Sequence, residues 1–292
     1  MAEPHSSNAP QAGGKARVAL ITGANTGIGL VTARELCAQG FQVFIACRSA
    51  STGQAAMQTI QKAVPGAQVE LLSLDLGDFA SVRQCAASFL KRNLPLHLLI
   101  NNAGLAGAKG LTKSGFELAF GTNHLGHFLL TSLLLDRIKA SAPARIVTVA
   151  SRAHYRVKSH ADGLDWEAQQ KPSASGTGLP EYSVSKLANA LFSAELSKRL
   201  AGTGVTTYAL HPGVVASDVW RSVPAPLRWL IKHWMITVEE GALTTLHCAT
   251  SPEAAAQTGL YYDKCQVKTP SALARDAALA AELWRRSEAW IA

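Results

Sequence analysis

Thr22-Gly23-Ala24-Asn25-Thr26-Gly27-Ile28-Gly29 follows directly on an aliphatic run, Arg17 to Thr22, and a helical pattern begins at once behind it. The place of this segment between strand and helix matters more than its letters. Glycines there allow a tight bend and close approach of the backbone to a pyrophosphate, which the free N–H groups and positive end of the helix stabilise. The spacing is G-x-x-x-G-x-G, not the commoner G-x-G-x-x-G, and the plain alternative is a glycine-rich turn without a ligand. Outward from this turn, short β-branched or aliphatic runs alternate with longer stretches of helical period, the pattern of βαβ units and a parallel sheet. Strands are expected at Arg17 to Thr22, Phe41 to Cys47, Gln68 to Leu74, Leu96 to Asn101, Arg145 to Ser151 and Val205 to His211, with a weaker one at Gly259 to Tyr262. Helices are expected at about 28–39, 52–63, 79–92, 114–139, 181–201, 238–250 and 272–290. The fold class is α/β: a doubly wound, mostly parallel sheet flanked by helices, in a single domain over residues 17–292.

A chain of 292 residues, 48% hydrophobic and 16% charged, can bury a substantial core, which excludes disorder over most of its length. Its apolar stretches stop well short of the roughly 20 residues that a bilayer span requires. Residues 1–16 are polar, rich in Ala, Ser, Gly and Pro, and lack an apolar run suited to secretion, so they read as a flexible tail. The net charge is +8, but Lys and Arg are scattered; a small anionic molecule fits this better than nucleic acid. Five cysteines without CxxC spacing point to neither a disulfide framework nor zinc, and to a reducing, cytoplasmic location. His124 and His127 are three apart with no third ligand, so packing or hydrogen bonding is expected of them and no metal. Residues 154–180 and 212–237 break the alternation after two strands and are candidate walls or lids for a substrate. The second of these carries Trp220, Trp229 and Trp234 with Arg228 and Lys232, which suit either a packed flap or peripheral contact with a membrane or lipophilic substrate.

Where an NAD-preferring fold presents an acid to the ribose 2′-hydroxyl, this chain has Cys47-Arg48-Ser49. Arg48 can instead meet a 2′-phosphate, which favours NADP(H). Tyr182 and Lys186 are four apart in a helical stretch and share one face. A lysine ammonium beside the phenol is expected to lower its pKa and fit it for proton exchange with a carbonyl oxygen. Ser151, at the end of the fifth strand, is placed to face the same cleft and hydrogen-bond that oxygen.

Together these residues resemble the short-chain dehydrogenase/reductase family over nearly the whole chain from Arg17, a family with a Rossmann-type fold. The resemblance is carried by the 22–29 turn, Leu74-Asp75-Leu76, Asn101-Asn102-Ala103-Gly104, Asn123-His124-Leu125-Gly126, Ser151, Tyr182-x-x-x-Lys186 and His211-Pro212-Gly213. It implies that Tyr182 is the general acid/base, that Ser151 orients the carbonyl, that Lys186 also holds the nicotinamide ribose, and that Asn123 completes a water-mediated proton relay. It implies further that Gly23, Asn25, Thr26, Gly27, Ile28, Gly29, Arg48, Asp75, Leu76, Asn102, Ala103, Gly104, Tyr182, Lys186, Pro212, Gly213, Val215 and Ser217 bind the cofactor. Asp75 would contact adenine, and Ser217 the nicotinamide carboxamide. Ala150 stands where many relatives carry a first serine. Ile45-Ala46-Cys47-Arg48, the stretch from Asn123 to Leu130, and Gly204 to Tyr208 look like the NADP-preferring retinol dehydrogenase branch, which acts on retinoids and other lipophilic aldehydes. Many members of that branch have an N-terminal membrane anchor, which is not expected here, and the family often forms dimers or tetramers. Two other readings stand beside it: a catalytically silent NADP(H)-binding sensor or scaffold, and a protochlorophyllide reductase-like double-bond reductase. The latter usually has cysteine where this chain has Asn101.

Overall fold

The computed structural model describes residues 16–158, 164–214 and 236–292. Strand β1 (Val18–Thr22) is buried at every position, because helices cover both faces and a continuous apolar run suits such a strand. Its residues divide with a period of two. Val18 and Leu20 enter one core layer with Phe89 and Phe128, while Ala19 and Ile21 enter the opposite layer with Leu36 and Ile60. The other strands are β2 (Gln42–Cys47), β3 (Val69–Ser73), β4 (Leu98–Asn101), β5 (Ala144–Val149), β6 (Val205–His211), β7 (Leu260–Asp263) and β8 (Gln266–Val267). Among the described residues they form one sheet in the order β3-β2-β1-β4-β5-β6-β7-β8. All pairings are parallel except β7 with β8. The chain winds outward from β1 in one direction and from β4 in the other, and at such a switch point the connecting turns part and leave a crevice at the carboxyl ends of the strands.

Helices α1 (Gly27–Ala38), α2 (Ala50–Ala63) and α3 (Phe79–Leu90) connect the first four strands. Ser49 caps α2 and Asp78 caps α3, each accepting a backbone N–H of the first turn. The long helical stretch expected at 114–139 starts later, with α4 (Leu118–Phe120), because Glu117 caps it through the Phe120 N–H at 2.8 Å. It then passes through a π-helical turn, Gly121–Leu125, before continuing as α5 (Gly126–Ala140). Helix α6 (Leu179–Arg199) has Pro180 in its first turn, a position where the missing N–H is not needed. A capping box of Thr237 and Glu240 opens α7 (Val238–Thr250), and Asp276 caps α8 (Ala277–Ile291). That cap sets the last helix five residues later than expected, behind a separate 3₁₀ turn, Leu273–Arg275. Strand β8 was not anticipated from the pattern: it is two residues long and exposed, with no buried face to impose a period. The flexible tail expected at the N-terminus lies, up to residue 15, outside the described residues.

Gly126 brings α5 hard against the segment after β3 that carries Asp75 and Leu76. A Cβ at this position would lie 2.3 Å from the Leu76 carbonyl oxygen, a contact with backbone that no rotamer change relieves. Gly126→Val is expected to cost about 3 kcal/mol of stability and to lower Tm by roughly 5 to 10 °C. Differential scanning calorimetry checks this, and an unchanged Tm would contradict the packing.

Candidate active site

The carboxyl ends of the strands enclose a cleft of about 520 Å³. At one end lies the turn between β1 and α1. Its Gly23 and Gly27 have φ of +66° and +57°, the left-handed region that side chains avoid. The glycines also permit close packing against the turn after β4: a Cβ on Gly23 would lie 2.9 Å from Ala103, and one on Gly29 2.5 Å from Asn102 Nδ2. Asn25, Thr26, Gly27, Ile28 and Gly29 line the cleft around the start of α1, whose first turn carries no acidic residue. Helical N-termini offer N–H groups and positive potential to an anion. Asn25 Nδ2 donates to Thr52 Oγ1 at 3.1 Å. Arg48 is exposed at the rim and, among the described residues, forms no ion pair.

Asp75, Leu76, Asn102, Ala103 and Gly104 continue the wall. Asp75 Oδ1 accepts the Gly77 N–H at 3.0 Å, which orients the carboxylate. Asn102 is a brace as well as a lining residue, since its Nδ2 donates to the Thr22 carbonyl at 2.8 Å. The N–H groups of Asn102 and Ala103 both donate to Thr22 Oγ1 at 3.0 Å, joining the ends of β1 and β4. Pro212 and Gly213 line the far side, while Val215 and Ser217 lie outside the described residues, as do the three tryptophans of the second insertion.

Ser151, Tyr182 and Lys186 meet at the other end of the same cleft. Ser151 follows β5, where its hydroxyl accepts the Ala153 N–H at 3.2 Å and hydrogen-bonds the Tyr182 phenol. The Ser151 carbonyl accepts from His154 Nδ1 at 2.5 Å, and the other ring nitrogen of His154 accepts the Ser271 N–H at 3.1 Å. These two bonds determine the tautomer, because a neutral imidazole has one donor and one acceptor. Lys186 stands one helical turn beyond Tyr182, with Nζ donating to the Val149 carbonyl at 2.8 Å and lying 5.8 Å from the Tyr182 ring centre. Asn123 is fully buried in the π-turn and does not line the cleft. It stands behind Gly104, where an added Cβ would lie 3.4 Å from both Asn123 Oδ1 and Lys186 Nζ. Its side chain grips Leu105, accepting the N–H at 2.9 Å and donating to the carbonyl at 3.0 Å, and it donates to Ser185 Oγ at 2.9 Å.

The electrostatics differ from the expectation drawn from the Tyr-Lys spacing. Burial pushes the Lys186 ammonium down to about 7, and among the described residues no carboxylate opposes it. Burial also raises the Tyr182 phenol, against which the Ser151 hydrogen bond and the Arg156 charge act in the phenolate's favour. Desolvation thus exceeds the mutual effect of the two side chains. A lysine near 7 can take up and release a proton at neutral pH, which an ordinary ammonium does poorly. Sequence reasoning missed Arg156 and His154. His154 had a local signal in its three-residue spacing from Ser151; Arg156 had none, because its effect depends on how the 3₁₀ turn Arg152–Arg156 folds across the cleft.

His124 and His127 act as hydrogen-bonding core residues. His124 Nε2 meets Ser287 Oγ at 3.0 Å, and His127 bridges Asn123 and Thr22. A second cavity of about 720 Å³ lies beside the first, walled by residues 156–158, residues 164–177 and the start of α6. Val157, Leu164, Pro172, Pro180 and Val184 line it together with charged side chains such as Lys158, Asp165, Lys171 and Glu181, and Arg156, Leu179 and Ser183 line both cavities. Among the described residues no helix is long and apolar enough to cross a membrane.

Residues 17–161 match the family model for short chain dehydrogenases. Human retinol dehydrogenase 12 is 46% identical over 274 residues, covering 93% of this chain and 85% of the relative. Among solved structures, an uncharacterised protein from Mycobacterium paratuberculosis superposes with a TM-score of 0.72 at 35% identity, covering 94% of this chain and 93% of the other. NADPH-bound carbonyl reductase from chicken fatty liver gives 0.64 at 27% identity, over 87% and 99% of the two chains. The chain therefore belongs to the short-chain dehydrogenase family, oxidoreductases that use a nicotinamide cofactor to interconvert CH–OH and C=O groups.

Proposed function

We propose that this protein is an NADP(H)-dependent oxidoreductase acting on a carbonyl or alcohol of a lipophilic substrate, retinal/retinol-like or another aldehyde or ketone. The observation that carries this reading is one cleft with a glycine turn and a helix N-terminus at one end and the Ser151, Tyr182 and Lys186 side chains at the other. The residues fit a dinucleotide. The start of α1 would receive the pyrophosphate, Asp75 the adenine, Arg48 the 2′-phosphate, and Lys186 the nicotinamide ribose. Val215 and Ser217 complete the proposed set. Bound there, the nicotinamide supplies or accepts the hydride.

The chain's own residues handle the oxygen and its proton. Ser151 holds the carbonyl oxygen, Tyr182 donates its proton to that oxygen during reduction, and Lys186 with Asn123 restores the proton from solvent. The cavity beside the site, whose mixed lining includes Val157, Leu164, Pro172 and Val184, offers room for a substrate tail along its apolar side. The lipophilic reading is also supported by the likeness to retinol dehydrogenase 12. A role for the 212–237 insertion, either as a flap over the cofactor or in contact with a membrane or the lipophilic substrate, and assembly into dimers or tetramers, are further parts of this proposal.

A panel of retinal, aliphatic aldehydes, ketosteroids and quinones with NADPH tests the reading. Turnover of retinal or an aliphatic aldehyde is expected, and inactivity throughout would favour a cofactor-binding sensor. Tyr182→Phe is expected to lower kcat about 1,000-fold while NADPH affinity stays nearly intact; substantial residual turnover would remove Tyr182 from its role. Arg48→Asp is expected to reduce kcat/KM for NADPH about 100-fold relative to NADH, and steady-state kinetics with both cofactors measure it. An unshifted preference would place the 2′-phosphate elsewhere. Finally, a lysine near 7 in the fold and 10.5 when unfolded leaves the unfolded chain with more bound protons between those values. Stability from this group therefore rises with pH across that window. The Tm of Lys186→Met relative to wild type, without cofactor, is expected to fall as pH goes from 7 to 10; a constant difference would contradict the burial penalty.

A further inference from the structure

His127, in the first turn of α5, is not needed by the chemistry above, yet it joins two parts of the site. Its Nδ1 lies 2.9 Å from the main-chain carbonyl of Asn123, and its Nε2 lies 2.8 Å from Thr22 Oγ1. A carbonyl only accepts, so Nδ1 carries the hydrogen. The ring is buried, and burial with the nearby Lys186 pushes it down to about 4, leaving it neutral at physiological pH. Nε2 is then an acceptor and Thr22 donates to it. The other groups around Thr22 agree with this assignment. Its oxygen already accepts the N–H groups of Asn102 and Ala103, and its alternative acceptor, the Ile100 carbonyl, is 3.5 Å away. The result is a directed chain in which each member is satisfied: the turn after β4 donates to Thr22, Thr22 to His127, and His127 to Asn123.

We propose that His127 is a positioning residue for the catalytic step, holding the Asn123 carbonyl and anchoring the π-turn to the end of β1. The π-turn needs such a hold. In it the Gly126 N–H reaches back to Gly121, five residues away, and this rare winding departs from the α-helical alignment. His127 reaches back four residues into that same segment, so its imidazole links the irregular turn to Thr22. With the turn held, Asn123 Oδ1 stays behind Gly104 on the same side as Lys186 Nζ. Loss of the hold would let Asn123 shift relative to Lys186, whose proton exchange then slows while the substrate and cofactor walls remain in place. The inference rests on the proposed role of Asn123 and Lys186 in returning the proton.

The test compares His127→Phe, which keeps the volume and removes both polar atoms, with His127→Asn, whose amide N–H can occupy the place of Nδ1–H. Wild-type turnover with NADPH and the carbonyl panel is measured first, because its absence strikes the proposed function and not the clamp. His127→Phe is expected to lower kcat about 10-fold or more, with the carbonyl KM and the NADPH affinity by fluorescence within about 2-fold of wild type. His127→Asn is expected to recover kcat to within about 3-fold of wild type, even where both variants lose similar amounts of Tm. In ¹⁵N-histidine NMR of the wild type, His127 is expected as the neutral Nδ1–H tautomer across neutral pH. A His127→Phe enzyme with wild-type kcat, an Asn variant no faster than the Phe variant, or an Nε2–H tautomer would each overturn the proposal.

Discussion

The Thr22 hydroxyl ties together the strand ends from which this site is built. It receives two backbone N–H groups from the turn after β4 and sits opposite the His127 ring, so β1, β4 and α5 are registered through a single side chain. Buried polar groups of this kind are costly unless every partner is present. Here the requirement is met by hydrogen bonds that run across the sheet, which places the glycine turn, the Asn102-Ala103-Gly104 wall and the Asn123 segment in one fixed relation. Glycines at 23 and 29 are consequences of this arrangement, since each stands where a Cβ would press on Asn102 or Ala103 of the same network.

Charge in the cleft is arranged by burial more than by pairing. Lys186 is almost fully enclosed with a carbonyl as its hydrogen-bond partner, and its proton is held loosely as a result. Tyr182 holds its proton more tightly, with Ser151 and Arg156 as the groups that ease its release. Such an ordering suits a proton that must leave the phenol only when a developing oxyanion demands it. Two neutral histidines frame the same region by fixing main-chain carbonyls: His154 that of Ser151, and His127 that of Asn123. Neither touches the reacting oxygen, and both stiffen residues that do or that stand next to them.

Much of this was legible in the sequence. Strands buried on both faces read as aliphatic runs, and the glycine turn sits at a junction that topology makes a binding crevice, so seven strands and the place of the cleft followed from pattern and position, while most of the residues expected along it came from the family resemblance. What escaped depends on distance or on environment. The π-turn occupies five residues of an apolar helix, too few for a change of winding to alter the hydrophobic period. Strand β8 is exposed and has no period at all. Thr22 and His127 are 105 residues apart in sequence, and no local spacing announces their contact. Spacing correctly put Tyr182 and Lys186 on one face of α6, but proximity alone suggested a lowered phenol pKa. The burial that reverses this is supplied by β5, the Gly104 turn and the packing of α6, none of which the four-residue interval contains.

In the proposed reaction, hydride passes directly between a nicotinamide in the cleft and a carbonyl carbon whose oxygen is held by Ser151 and Tyr182. Incubation of retinal with NADPH deuterated at C4, as each of its two epimers, followed by mass spectrometry of the alcohol, addresses it most directly. Deuterium is expected at the carbinol carbon from one epimer and not from the other. Alcohol formed without deuterium from either epimer, or with label distributed equally from both, would contradict a single, fixed geometry for the transfer.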